Sequence, residues 1–214
     1  MPIPPIIENV KTGFENAQAD GKISTERFLS ACESLLPVFD FLGSRIFGLA
    51  KSDIRGNIDK IRTAQRFRCA MNERCGSSSS SSSTSSDDLF ILLTEEKRGA
   101  LNEAPYSAIG SLLWLKRGLQ FILVFLTDIN AGEPSLRKSA KRAYRSSLAS
   151  HHGTLAKTAF DTALLLVTSR DKFLERLTGS GKEFGGRELS AFLARFGGLV
   201  QQIEDFYMEN GWER

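Results

Sequence analysis

The chain has 214 residues, 41% hydrophobic and 25% charged, a composition that excludes wholesale disorder and fits one cored domain or two small ones. Three cysteines, Cys32, Cys69 and Cys75, are odd in number and lack zinc-site spacing, which excludes a disulfide scaffold and points to a reducing cytoplasmic compartment. A net charge of +3 does not by itself indicate nucleic acid, and the longest apolar stretch, 119–129, is well short of the ~20 residues a bilayer span needs, so a soluble protein is expected.

Residues 1–23 contain Pro2, Pro4, Pro5, Gly13 and Gly21 and show no basic segment followed by an apolar run, so a flexible lead-in without a signal peptide is expected. A single domain over 24–214 should follow. From Ser24 the pattern is helical: Ser24 or Thr25 offers a cap, and Phe28, Leu29, Cys32, Leu35 and Leu36 recur at three- and four-residue spacing up to Pro37 or Gly43. A long helix is predicted over about 45–70, with Ile54, Ile58 and Ile61 on one stripe. The serine-rich run at 76–86 cannot bury apolar surface and is expected to be an inserted loop. Further helices are predicted at 88–98, at 105–130 with Pro105 in the first turn, from Pro134 to near Gly153, at 154–178 and at 187–209. No alternating segment of useful length occurs. The expected fold is all-α, with about seven or eight helices and no internal repeat.

The segment 51–61 holds the densest chemistry. Asp53, Asn57 and Lys60 fall at i, i+4 and i+7 on one helical face, about 100° from the isoleucine stripe. A carboxylate, an amide and an ammonium beside apolar surface suit hydroxyls and amides of a ligand. A solvated face with an internal Asp–Lys attraction fits the same spacing. Gly56 in mid-helix costs stability of order 1 kcal/mol, a loss that close approach of a ligand or another helix would explain.

Residues 112–126 are apolar nearly all round and mark a central buried helix. Trp114 within it is either core or a platform for the apolar face of a sugar ring. Phe121 and Phe125 are most simply core. His151 and His152 are the only two histidines, and no Cys, Asp or Glu accompanies them at ligand spacing, so no metal site or cofactor is expected. Phosphate-loop, dinucleotide and serine-nucleophile motifs are absent, and no nucleophile with its base is formed. Residues 134–157 carry Arg137, Lys138, Lys141, Arg142, Arg145 and Lys157 with no acid, a basic surface suited to an anionic membrane or an acidic partner. A solvated helix paired with acidic neighbours is the alternative.

Taken in order, these segments resemble the glycolipid transfer protein family. The residues that carry the resemblance are 28–47 (FLSA…LPVFDFLGSRIF), Asp53-x3-Asn57-x2-Lys60, the Trp114-Leu-Lys-Arg-Gly-Leu119 run, Ala143-Tyr144 and His152-Gly153. They span about 24–208 apart from the serine loop. The resemblance implies an all-α two-layer helical sandwich enclosing a hydrophobic tunnel for ceramide, with a sugar site at its surface. It implies that Asp53 bonds the sphingosine amide and a sugar hydroxyl, and that Asn57 and Lys60 bond other hydroxyls. Trp114 would stack on the ring and His152 would donate to the acyl carbonyl.

The implied function is non-enzymatic transfer of glycosphingolipids between membranes by a monomer that touches the bilayer transiently. Alternatives are a ceramide 1-phosphate carrier, for which Arg55 and Arg117 lie near the head-group residues, and a sphingolipid sensor presenting its loaded state to a partner protein. Acid–base chemistry by His152 and Asp53 on a sphingolipid, and binding of nucleic acid, are both disfavoured. Two positions depart from the family pattern. Thr154 stands where animal-type members have a membrane-contacting tryptophan, which moves docking to Ile46, Phe47 or the basic helix. The tail after Tyr207 looks short for closing a pocket.

Overall fold

Several helix starts are fixed by side chains that accept hydrogen bonds from the open amides of the first turn. The computed structural model describes residues 6–43, 47–74, 87–99, 101, 104–178 and 187–213. The expected loop at 76–86, the stretch 179–186, Ile46 and Cys75 lie outside the described residues. Those described form ten helices and one two-stranded hairpin. In chain order they are α1 Ile6–Ala17, β1 Gln18–Ala19, β2 Lys22–Ile23, α2 Thr25–Leu35, α3 Pro37–Phe41 and α4 Phe47–Arg74. Then follow α5 Leu89–Lys97, α6 Ala108–Asn130, α7 Leu136–Ser147, α8 Thr154–Leu165, α9 Arg170–Thr178 and α10 Arg187–Glu209.

Ser24 caps α2, accepting from the Arg27 amide at 3.3 Å, and Asp88 caps α5, accepting from the Phe90 and Ile91 amides at 2.8 and 3.2 Å. Ser107 caps α6 through the Gly110 amide at 3.0 Å. The α5 residue Glu96 takes the two preceding open amides, Ala108 and Ile109, at 2.6 and 3.1 Å. The helix therefore starts after Pro105, not at it. Ser135 caps α7, so Pro134 stands just ahead of the helix rather than in its first turn.

Residues 6–23 correct the expectation of a flexible lead-in. Val10, Phe14 and Ala17 lie one turn apart on α1 and are buried in the common core, Phe14 against Phe28, Phe192 and Phe196. Gly13 is the contact point between α1 and α2, because a Cβ there would stand 3.2 Å from the Ala31 Cβ. The hairpin turns on Asp20 and Gly21, whose φ values of 50° and 75° suit a tight two-residue connection.

The predicted 154–178 helix is two helices. The Thr168 amide bonds the Leu42 carbonyl at 3.1 Å instead of continuing α8, and α9 restarts after Ser169. The central helix is α6, packed by α4, α5, α7 and α10 in a two-layer helical sandwich. By length and composition its 23 residues would cross a bilayer, contrary to the sequence expectation. Its most apolar 18-residue window is, however, 67% buried by the surrounding helices, as befits a core helix. The stripe Ile54, Ile58 and Ile61 of α4 is buried against this core. The close approach of α4 and α6 falls at Gly118, where a Cβ would meet the Ile54 side chain at 3.2 Å. Space at Gly56 is open, so no neighbouring helix explains that glycine.

Ion pairs, one set of them buried, tie the layers together. Lys116 of α6 is fully buried, pairs with Glu204 of α10 and with Glu213, and lies 5.3 Å from the Tyr207 ring centre. Arg62 of α4 holds Glu26 and Glu33 of α2 at 3.1 and 3.0 Å. At Lys116, removing one member of such a pair typically costs about 3–5 kcal/mol, because a buried charge stays behind unpaired, whereas the exposed carboxylates around Arg62 contribute little.

Candidate functional site

The expected face of α4 forms, and its three polar residues differ in environment. Asp53 is exposed, whereas Asn57 is 4% exposed. The Asn57 amide nitrogen donates to the Asp53 carbonyl at 3.0 Å and reaches its carboxylate at 3.4 Å. Asn57 is thus engaged with Asp53 from within. Lys60, one turn further, is exposed and does not line the cavity beside Asp53.

That cavity has a volume of about 260 Å3 and lies between α4, α6, α7 and α8. Its walls are apolar: Phe39, Ile54, Phe121, Leu148 and Phe160 are among them, and Gly118 leaves room in the floor. Asp53, Trp114, Tyr144 and His152 are the residues with polar side-chain atoms in the lining. Three of the five predicted site residues therefore meet around one apolar space. Trp114 is half-buried, its indole stacked near the His152 imidazole with centroids 5.9 Å apart and planes at 21°.

Local chain geometry delivers His152. After α7 the chain turns through Leu148–Gly153, and the His151 amide bonds the Leu148 carbonyl at 3.0 Å. The Tyr144 hydroxyl and His152 Nδ1 are 3.0 Å apart. Burial lowers the His152 pKa below the ordinary imidazole value, Asp53 pulls it back up, and His151 and Lys157 lower it further. Burial, with Asp161, raises the Tyr144 pKa. Either group can donate across this contact, and in one tautomer Tyr144 donates to the neutral Nδ1. In that tautomer the ring proton sits on Nε2 and is available to a ligand acceptor.

Arg117 borders the same corner. It is buried, its guanidinium carbon lies 5.1 Å from the Trp114 ring centre, and its nearest carboxylate contact is Glu213 at 4.0 Å. Among the described residues its Nε and Nη2 have no hydrogen-bond partner. Arg55 is exposed and is not part of the lining.

Sequence reasoning took Phe121 as core only, and it both packs in the core and walls the cavity. It also left Tyr144 without a site role; the signal was its place eight residues before His152, with a turn between. Phe47, offered for membrane contact, is buried against Phe160, whereas its neighbour Leu49 is 69% exposed on the cavity rim. Among the described residues no group of three metal-ligating side chains forms.

Fold and site together define an all-α protein around an apolar cavity with one polar corner, the form suited to an amphipathic ligand. The profile of the family described as Glycolipid transfer protein (GLTP) matches residues 23–179. A glycolipid transfer protein from Aureobasidium melanogenum is 32% identical over 202 residues, covering 93% of this chain and 90% of the relative. Pleckstrin homology domain-containing family A member 8 of Homo sapiens is 32% identical over 178 residues, which cover 82% of this chain. The match covers 32% of that longer relative. Among solved structures, FAPP2, described as selecting simple glycosphingolipids using the GLTP fold, superposes with a TM-score of 0.80. Its identity is 28%, with 99% of this chain and 98% of that chain covered. The chain belongs to the glycolipid transfer protein family, whose members are lipid transfer proteins rather than enzymes.

Proposed function

We propose that this protein carries glycosphingolipids between membranes without altering them, as a monomer in the cytoplasm that touches bilayers transiently. The carrying observation is the convergence of Asp53, Trp114 and His152 at the polar corner of one apolar cavity. Two ceramide chains hold roughly thirty CH2 groups, whose burial at about 0.8 kcal/mol each forbids free escape into water. An apolar protein interior that replaces the bilayer removes most of that barrier. The polar corner then selects, because a buried amide or hydroxyl left unsatisfied costs about 1–3 kcal/mol.

In this reading Asp53, held by Asn57, accepts from the sphingosine amide and a sugar hydroxyl. His152 donates from Nε2 to the acyl carbonyl, and Trp114 stacks on the sugar. Lys60 reaches back over one helical turn to an outer hydroxyl. A cavity of about 260 Å3 is small for two chains, so loading parts its walls. The mobile wall is α8, which lines the cavity with Ala156, Ala159, Phe160 and Ala163 yet buries only Ala163 and Leu164 fully.

A second reading, carriage of ceramide 1-phosphate, is favoured by one observation, the buried Arg117, which lies beside Trp114 and whose Nε and Nη2 lack partners among the described residues. Against it, the polar side chains that line the cavity are Asp53, Trp114, Tyr144 and His152, with no lysine or arginine among the described lining residues. Native mass spectrometry of the protein after incubation with a total-cell lipid extract separates the two. A bound hexosylceramide is the expected mass; ceramide 1-phosphate as the bound lipid would transfer the assignment to Arg117.

A further inference from the structure

The cavity accounts for one side of α7 only. Leu136, Ser139, Ala140, Ala143, Tyr144 and Ser147 face inward, while Arg137, Lys138, Lys141, Arg142 and Arg145 are all exposed and take up the rest of the helix circumference. Lys138, Lys141, Arg142 and Arg145 border a shallow open groove together with Ser146. Among the described residues, one of these cations has an acidic neighbour at bonding distance, Arg142 with Asp128 at 2.8 Å. No Asp or Glu occurs between 134 and 157 to neutralise the others locally. Five like charges on about three turns repel one another, and nothing in the packing of α7 requires them.

Their placement relative to the cavity is the second observation. Arg137, Lys141, Tyr144 and Leu148 follow at i, i+4, i+7 and i+11, so they share one stripe of the helix. Tyr144 and Leu148 line the cavity. The basic face is therefore continuous with the cavity wall along α7. Two large apolar side chains stand exposed near the cavity: Leu49 in its lining, and Leu155, 85% exposed and next in sequence to the lining residue Ala156.

We propose that the basic face of α7 is a docking surface for an anionic bilayer, whose phosphate-bearing head groups it engages while Leu49 and Leu155 meet the hydrocarbon boundary. The proposal rests on the lipid-carrier reading above and names the membrane chemistry that the carrier prefers. Cations on flexible stems suit diffuse phosphate charge, and a planar bilayer contacts the stripe and the two leucines together. Such attraction acts over about one Debye length, some 8 Å at physiological salt, so it also orients the cavity toward the surface before contact.

The test is cosedimentation of the whole protein with vesicles of phosphatidylcholine alone and of phosphatidylcholine with 30% phosphatidylserine, at low and high salt. Each cation near an anionic surface contributes about fivefold to partitioning, so K138Q/K141Q/R145Q should lose about two orders of magnitude of binding to the anionic vesicles. Binding to the neutral vesicles should not change. The three residues lie outside the cavity lining, and circular dichroism of the variant checks its fold. Wild-type binding indifferent to vesicle charge would overturn the proposal and leave an acidic protein as the partner of this face. Undiminished binding by a folded variant would overturn it equally. Failure of the carrier reading appears separately, as absence of glycolipid transfer between neutral vesicles whatever their binding of the protein.

Discussion

At the scale of residues, two aromatic side chains of α6 stand in different surroundings. Trp114 is half-buried on the cavity wall, whereas Phe125, about three turns further along α6, is fully buried in the core. Truncating Phe125 to alanine should cost about 3–5 kcal/mol. Trp114→Ala should cost clearly less stability while removing most glycolipid transfer; thermal melts and a vesicle transfer assay read the two effects apart. A variant as unstable as Phe125→Ala that still transfers lipid would make Trp114 plain core. The histidines add a pH signature. Burial lowers the pKa of both His151 and His152, so the unfolded chain binds protons more readily than the native one. Stability should therefore rise with pH up to the unfolded imidazole value of about 6.5 and be flat above it. Thermal unfolding of His152→Gln between pH 5 and 8 should show a shallower rise than wild type, and an unchanged rise would contradict the burial argument.

At the scale of elements, periodicity was informative where a helix buries one stripe and has a capping side chain. Ser24, Asp88 and the isoleucine stripe of α4 each gave a legible signal, and α10 begins and ends where the pattern predicts. The misses have physical causes. Prolines at 2, 4 and 5 and glycines at 13 and 21 concealed α1, because Gly13 serves packing against Ala31 and Gly21 serves a turn. The division of α8 from α9 rests on a backbone bond to Leu42, a long-range contact that no local pattern carries. If α1 is integral to the fold, Phe14→Ala should destabilise the protein by about 3–5 kcal/mol in denaturant unfolding. A stability loss within about 0.5 kcal/mol, as for a surface change, would return α1 to the status of an appendage. The site was legible in part for a related reason. Asp53, Asn57 and Lys60 share a face by spacing alone, but their different depths depend on how α4 packs. The link from Tyr144 to His152 needed the turn after α7.

At the scale of the molecule, the helices around α6 are packed more heavily on one side than on the other. The layers on the α10 side are joined by Lys116, Glu204 and Glu213 and by aromatic contacts of Phe206 and Tyr207 with Trp212. The α8 side is held mainly against α7 and exposes Leu155, Leu165 and Leu166. Rigid anchoring of one side and light packing of the other is the arrangement a lipid carrier needs, since the cavity must widen without loss of the fold. The C-terminal segment also has a role that its length concealed, because Glu213 reaches the cations that follow Trp114. The most direct measurement is transfer of fluorescent glucosylceramide between neutral phosphatidylcholine vesicles by the wild-type protein and by Asp53→Val. Catalytic amounts of wild type should speed exchange strongly, and the folded variant should return it to the spontaneous rate. Exchange unaffected by the wild-type protein, or equal for both, would contradict the carrier mechanism centred on Asp53.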